Sequence, residues 1–456
     1  MISSPETRRD PASYRDPSGY VFHQGGKIFR QINQQGIDDF QKFLTSGLAD
    51  RLQEEGLLVG FKVSGTTCDS MTIEAEKIPF VTYPYEWSFS QLREAAIVTL
   101  KVNRIALDYG MILKDASAFN ITFFRGKALF IDHTSFTAYQ PDSLWEAYKQ
   151  FCTNFAAPLY LMKYCDLRCL DFLKNDINGI DLDFASRLLP WYSYFIPQVF
   201  FHIHLHGMFD VRCSADKNFS CVPRMPLERL KRFIDCLMGQ FGSLSAPDEN
   251  TLWKKYYQNT SYSGRSFERK KAIVREFCSR RGTGAVLDLG ANTGVFSGIA
   301  AEFAREVIAA EMDPMAVEQL WNLSRTQFPN ITSVRLDLFN PAAGLGLFNQ
   351  ERSSFFSRCR CDCVLGLALM HHLRVTGNWR IGDIVKLFAK TGKYALVEFV
   401  PLEDEQMRQL VRGRREIYSD WTLDNVTEHF RREFPSVLTR TLPDSGRVMI
   451  ELAGEE

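Results

Sequence analysis

The stretch VLDLGANTGVF, residues 286–296, decides how the chain is to be read. An apolar run ends in an acid, a glycine turn follows, and a second apolar run begins. That is a buried strand, a tight turn and a helix start. Gly290 and Gly294 let the backbone turn sharply and approach a ligand. Asn292 stands between them and tolerates left-handed backbone better than most residues. Asp288 falls at the carboxyl end of the strand, where open α/β sheets bind their ligands. A dinucleotide site calls for G-x-G-x-x-G; here the pattern is D-x-G-x-N-x-G.

Downstream, EVIAAE (306–311), SVRLD (333–337), CDCVLGLAL (361–369) and YALVEFV (394–400) are further short apolar runs. Helical stretches at 314–323 and 381–389 separate some of them, which is the βαβ rhythm of a doubly wound sheet. SVLTRTLP (436–443), DSG and RVMIELA (447–453) end the chain as an antiparallel hairpin. Glu311 closes the second strand, 23 residues after Asp288, where an acid can accept hydrogen bonds from ribose hydroxyls. Asp337 closes the third and can receive an adenine amino group.

These acids, the glycine turn and the terminal hairpin together resemble the class I S-adenosylmethionine (SAM) methyltransferases over about residues 255–456. "LDLGANTGVFS", "LALMHHL" and "VEFVP" are similar to a bacterial group around the nodulation-associated methyltransferases. The resemblance implies a Rossmann-like sheet of seven strands in the order 3-2-1-4-5-7-6, with strand 7 antiparallel. It implies SAM as cofactor, held by Asp288, Gly290, Asn292, Gly294, Glu311, Asp337, Leu338 and Leu367. His371 and His372 lie just past the fourth strand, beside the expected methyl donor; an imidazole there can take a proton from an attacking hydroxyl or amine. Glu398 is a second candidate base or a supporting residue. Methyl transfer needs above all an in-line arrangement, so a base is not essential. The implied acceptor is an oxygen, with nitrogen second, of a small-molecule or glycan-type biosynthetic intermediate. A non-catalytic SAM-binding sensor is the alternative. No [DN]-P-P-[YF] follows strand four and no Pro-Cys nucleophile occurs, which argues against nucleic-acid methylation.

The other half reads differently. GQFGSLSAPDENT (239–251) is rich in turn residues and marks the boundary. The expected division is a flexible tail at 1–18, an α+β domain at 19–240, a linker at 241–254 and the methyltransferase domain at 255–456. YVFHQ, GGKIFRQI and LLVGFKVS read as strands, and residues 37–52 as one helix. A helix of about 20 residues starts near Ser90, with Ser88 and Gln91 as a capping box. NITFF and KALFID follow as two short strands. This order resembles a compact protein-kinase-like or aminoglycoside-phosphotransferase-like domain. Asp115 and Asn120 keep the catalytic-loop spacing D-x4-N, and Asp132 takes the place of the magnesium-binding acid. The departures are large: Leu113-Lys114-Asp115 for His-Arg-Asp, Asp132-His133-Thr134 for Asp-Phe-Gly, and no glycine-rich loop. Lys27 or Arg30 would have to serve as the phosphate-binding cation. The readings are a degenerate kinase-like domain that binds acceptor or nucleotide, an active kinase giving a bifunctional enzyme, or an unrelated α+β domain.

WKKYYQNTSYSGRSFERKK (253–271) is either a lid with Tyr256, Tyr257 and Tyr262 as contacts or a solvated amphipathic helix. HIHLHG (202–207) lacks acid or thiol neighbours and reads as packed histidines rather than a metal site. No metal is expected. The 456 residues are 45% hydrophobic and 24% charged with zero formal net charge, so no basic excess advertises nucleic acid. Eleven scattered cysteines, Cys359, Cys361 and Cys363 among them as ordinary thiols, suit a reducing compartment, and the expectation is cytoplasmic. No apolar run of about 18 residues occurs, so no membrane span is expected.

Overall fold

The computed structural model describes residues 7–208, 224–247 and 264–454. The chain forms two compact units. The first is Met1–Asp248 with Ala342–Ser354, and the second is Glu249–Pro341 with Phe355–Glu456.

Unit 1 begins with a five-stranded antiparallel sheet. Its strands are β1 (Arg8–Arg9), β2 (Gly19–Gln24), β3 (Lys27–Ile32), β4 (Phe61–Thr66) and β5 (Met71–Ala75), in the order β1-β2-β3-β5-β4. Gly25 and Gly26 turn the β2–β3 hairpin with φ of +58° and +77°, a conformation glycine reaches without strain. The helix Phe89–Asp108 starts at a capping box: Ser88 Oγ accepts from Gln91 N at 3.2 Å, and Gln91 Oε1 accepts from Ser88 N at 2.9 Å. Two small sheets follow, β6 (Met111–Leu113) with β9 (Phe136–Ala138), and β7 (Ile121–Phe124) with β8 (Lys127–Phe130). The helix Leu227–Gly242 packs on Phe89–Asp108.

Three boundaries differ from the sequence reading. Residues 7–18 are no loose tail: β1 pairs with β2, Asp10 caps the turn Pro11–Ser13, and Thr134 Oγ1 donates to Asp16 Oδ2 at 2.8 Å. Residues 37–52 are two helices, Gln34–Thr45 and Leu48–Glu54, split at Gly47, whose φ is +83°. The expected linker overlaps the helix that runs to Gly242, and its end lies outside the described residues. Nothing in the sequence announced that Ala342–Ser354 joins unit 1, because the segment has neither period 2 nor period 3.6.

Unit 2 holds seven strands: β10 (Ala285–Leu289), β11 (Glu306–Glu311), β12 (Ile331–Arg335), β13 (Cys361–Gly366), β14 (Gly392–Phe399), β15 (Ser436–Thr441) and β16 (Val448–Ala453). Their order is β12-β11-β10-β13-β14-β16-β15. The first five strands in that order are parallel, and β16 is antiparallel to both β14 and β15. β11 is buried along its whole length, as a parallel strand covered on both faces must be. The helices Gly264–Arg281 and Val295–Ala301 share a core with β10 built on Phe277, Val274, Val286 and Ile299. The turn after β10 keeps Gly290, Asn292 and Gly294 at positive φ, +72°, +49° and +88°.

Candidate functional site

A cavity of about 280 Å³ opens over the carboxyl ends of the parallel strands in unit 2. It lies where the turn after β10, the ends of β11 and β12, and the loop after β13 converge. Six of the residues expected at a cofactor line it: Gly290, Asn292, Glu311, Asp337, Leu338 and Leu367.

Glu311 is buried, and three backbone N–H groups orient its carboxylate. Oε2 accepts from Asn292 at 2.8 Å, and Oε1 accepts from Met312 at 2.7 Å and Asp313 at 3.0 Å. Burial pushes its carboxyl above the usual range, and those donors work against the shift. Asp337 Oδ1 accepts from Phe339 N at 2.8 Å, which fixes the turn leaving β12. Asn292 Oδ1 accepts from Thr293 N at 2.7 Å and stabilises its own left-handed turn.

Two expected residues are not in the lining. Asp288 is buried and accepts a 2.6 Å hydrogen bond from Ser297 Oγ on the following helix. Burial pushes its carboxyl up to about 6, opposed by that hydroxyl and by the Lys270 ammonium. A Cβ on Gly294 would stand 2.7 Å from the δ-methyls of Leu320 and Leu323, so the close packing of this glycine is against the helix Pro314–Thr326.

The candidate bases part company. His372 lines the cavity; burial, with the charge of Arg447, lowers its imidazolium to about 4, so the ring is neutral. His371 is fully buried behind it, with ring centroids 4.2 Å apart, and neither of its nitrogens has a hydrogen-bond partner. Burial, His372, Arg447 and Lys270 push it well below the ordinary value. Glu398 is fully buried and does not line the cavity. It is the counter-ion of Lys270 at 2.6 Å and of Arg447 at 3.5 Å, and Arg447 in turn donates to Asp404 at 2.8 Å. Both of its oxygens therefore face cations of the core.

Lys270 lines the cavity and was missed. Its signal was present: with Ser266, Ile273, Val274 and Phe277 it falls on the buried face of the helix Gly264–Arg281. The sequence reading of 253–271, a lid or a solvated amphipathic helix, singled out the tyrosines and not this lysine. Tyr256, Tyr257 and Tyr262 lie outside the described residues.

In unit 1, Asp115, Asn120 and Asp132 lie near one another, and each is engaged by neighbouring side chains. Ser135 Oγ donates to Asp132 Oδ2 at 2.5 Å and accepts from Asn120 Nδ2 at 3.1 Å. Arg30 forms an ion pair with Asp132 and also reaches Thr134. Burial would raise the Asp132 carboxyl, but Arg30 and the Ser135 and Thr134 hydrogen bonds bring it down to about 2. Asp115 accepts from Ser117 N and Gln150 Nε2, at 2.9 and 2.7 Å; burial, then the charge of Asp132, raises its carboxyl. His133 is core, bonded to the Val59 carbonyl at 3.1 Å and edge-on to Phe61. Lys27 pairs with Glu74 at 3.0 Å instead.

HIHLHG forms part of a π-helical turn, Phe200–His204. His202 bonds Tyr148 and Gln240, and His204 bonds Ser186 and Ser193. Among the described residues no group of three His, Cys, Asp or Glu could hold a metal. Cys359, Cys361 and Cys363 carry free thiols. No described helix is long and apolar enough to cross a membrane.

No family model matches the chain. A curated relative, nodulation protein NoeA of Rhizobium meliloti (strain 1021), is 29% identical over 462 residues, spanning 98% of this chain and 97% of its own. Among solved structures, the N-methyltransferase NodS of Bradyrhizobium japonicum WM9 is 11% identical, with 43% of this chain and 100% of its own covered and a TM-score of 0.30. Magnesium protoporphyrin IX methyltransferase (ChlM) of Synechocystis PCC 6803, solved with bound SAH, is 12% identical, with 44% and 93% covered and a TM-score of 0.31. In unit 2 itself, five neighbouring parallel strands, an antiparallel hairpin at one edge and a cavity over the strand ends make an α/β sheet with a ligand-sized site at its carboxyl edge.

Proposed function

We propose that the chain is a SAM-dependent methyltransferase acting on an oxygen, or second to that a nitrogen, of a small-molecule or glycan-type intermediate. One observation carries this reading: Gly290, Asn292, Glu311 and Asp337 share one largely apolar cavity at the ends of β10, β11 and β12. Glu311, already oriented by three N–H donors, accepts from the ribose hydroxyls. Asp337 would accept from the adenine amino group, and Leu338 and Leu367, which line the same cavity, would supply its apolar walls. SAM bound there supplies a methyl group activated by a sulfonium. His372, neutral at physiological pH, accepts a hydrogen bond from the acceptor and turns its lone pair into line. His371 backs the His372 ring, and Glu398 holds Lys270 and Arg447 in place.

Unit 1 is proposed as a kinase-like domain that no longer transfers phosphate. A magnesium ligand must offer free carboxylate oxygens, whereas Asp132 spends both of its own on Arg30, the Ser135 hydroxyl and the Thr134 backbone N–H. This arrangement favours the degenerate reading over the bifunctional one.

The test is calorimetry of the full chain with SAM and S-adenosylhomocysteine, beside transfer of a tritiated methyl group from SAM into a small-molecule extract. Glu311→Ala should weaken both cofactors tenfold or more. Unchanged affinity in a well-folded Glu311→Ala protein would sink the site. For unit 1, magnesium–ATP should give neither a thermal shift nor phosphate transfer; transfer abolished by Asp132→Ala would restore the bifunctional reading.

A further inference from the structure

We infer that Cys359 and Cys361 form a modification site, a thiol pair that hydrogen peroxide converts to a reversible disulfide at the start of β13.

Three cysteines alternate in CRCDC, residues 359–363, and the fold gives them different surroundings. Cys359 is buried where the helix Phe355–Arg358 ends, its N–H donating to the Phe355 carbonyl at 2.9 Å. Cys361 opens β13 and is partly exposed. The two Sγ atoms lie 3.6 Å apart, and neither belongs to a disulfide. Cys363 points to the same face of the strand as Cys361 but is withdrawn from the pair. Its thiol donates to the Arg281 carbonyl at 2.6 Å, and burial pushes it up to about 12. The thiolate is the reacting form of cysteine, so Cys363 is inert near neutral pH. An accessible thiol beside a buried one is what a two-step oxidation needs.

In the first step the Cys361 thiolate attacks one oxygen of the peroxide. The O–O bond breaks, the sulfur becomes a sulfenic acid, and the departing hydroxide takes up a proton to leave as water. In the second step the Cys359 thiolate attacks that sulfur. The S–O bond breaks, the S–S bond forms, and a second water leaves with the other thiol proton. The two sulfurs lose two electrons and the peroxide gains them. The sulfur atoms need close only from 3.6 Å to about 2 Å. A bridge between residues two apart closes a very short loop, so it adds little stability to the fold. It is also strained, since extended chain sets such Cα atoms about 6.6 Å apart, near the upper limit a disulfide spans. Strain makes the bond easy to reduce, which suits a reversible mark and not a structural staple.

The test is peptide mapping of the full chain. The reduced protein is treated with hydrogen peroxide, blocked with iodoacetamide and cut with trypsin in the absence of reductant. Cleavage after Arg358, Arg360 and Arg374 separates residues 359–360 from 361–374 unless a disulfide joins them. Wild type and Cys363→Ser should give the linked pair as the main product, and a dithiol reductant should part it. Cys361→Ser should give no linked pair. In Cys359→Ser, Cys361 should run on to the sulfinic acid, because no neighbouring thiolate traps the sulfenic acid. Wild type in which 361–374 emerges unlinked, as thiol or as sulfinic acid, overturns the inference, and so does a linked pair that persists in Cys361→Ser. The decisive outcome is read on wild type and needs no variant to fold.

Discussion

Asp288 and Glu311 end neighbouring strands, yet their surroundings give them different work. Glu311 faces the cavity with its charge met by three N–H groups, whereas Asp288 is turned to Ser297 in the core. Asp288 titrates near 6 when folded, against an unfolded value of 3.8. A raised acid stabilises the fold in its protonated form. That contribution is complete below pH 3.8 and is lost as pH climbs through about 6. The shift is worth roughly 3 kcal/mol. Urea midpoints measured from pH 4 to 7 should therefore fall more steeply for wild type than for Asp288→Asn. Parallel curves would mean that the carboxyl is not buried. Asp132 carries the opposite sign, since its stabilisation is present above 3.8 and lost toward about 2. Arg30→Met, which strands Asp132, should cost about 3–5 kcal/mol, and Arg30→Met/Asp132→Leu should recover much of it. Equal losses in the single and double variants would deny the pairing. Both acids were visible as sequence positions. Their burial and partners were not, because Ser297 and Arg30 reach them only through the fold.

At the scale of elements, the most legible parts were those with strong local rules. Short apolar runs at 285–290, 306–311 and 394–400 are strands, and Ser88–Gln91 caps its helix. The third strand was read two residues late, at 333–337 rather than Ile331–Arg335, because Thr332 and Ser333 blunt its apolar signal. The single helix expected over 37–52 fails at Ser46-Gly47, where glycine outweighs a continuous apolar face. Gly294 teaches a related lesson. A glycine in a cofactor turn invites a ligand explanation, yet the close neighbours are Leu320 and Leu323 on the helix Pro314–Thr326. Gly294→Ala adds a Cβ at positive φ and in a filled space, and should cost about 2–4 kcal/mol. Cofactor affinity of the folded protein should change little. A thermal midpoint equal to wild type, or a selective loss of cofactor binding, would return Gly294 to the ligand.

On the scale of the whole molecule, sequence order and spatial order disagree at Ala342–Ser354. The chain leaves β12, contributes this segment to unit 1, and returns to unit 2 at Phe355. Within unit 1 the segment is held by Glu351, whose carboxylate pairs with Arg15 at 2.8 Å, and by Arg352, whose guanidinium lies 4.3 Å over Phe119. Arg15 also donates to Asn178 at 2.7 Å, so the N-terminal segment and the excursion share one anchor. Arg15 is nearly half exposed, and Arg15→Ala should cost only about 1–2 kcal/mol. Hydrogen exchange should quicken in β2 and β3 while β10 and β11 keep their protection. Uniform quickening across both sheets would contradict two separate units. The excursion also imposes an order on biosynthesis. As the chain emerges from the ribosome, residues to 248 appear first and unit 1 is still missing a piece. Roughly a hundred further residues must be made before that piece arrives, on the order of 5–20 seconds at usual translation rates. Through that interval Arg15 lacks Glu351 and Phe119 lacks Arg352, so the N-terminal unit is completed only while unit 2 is being made.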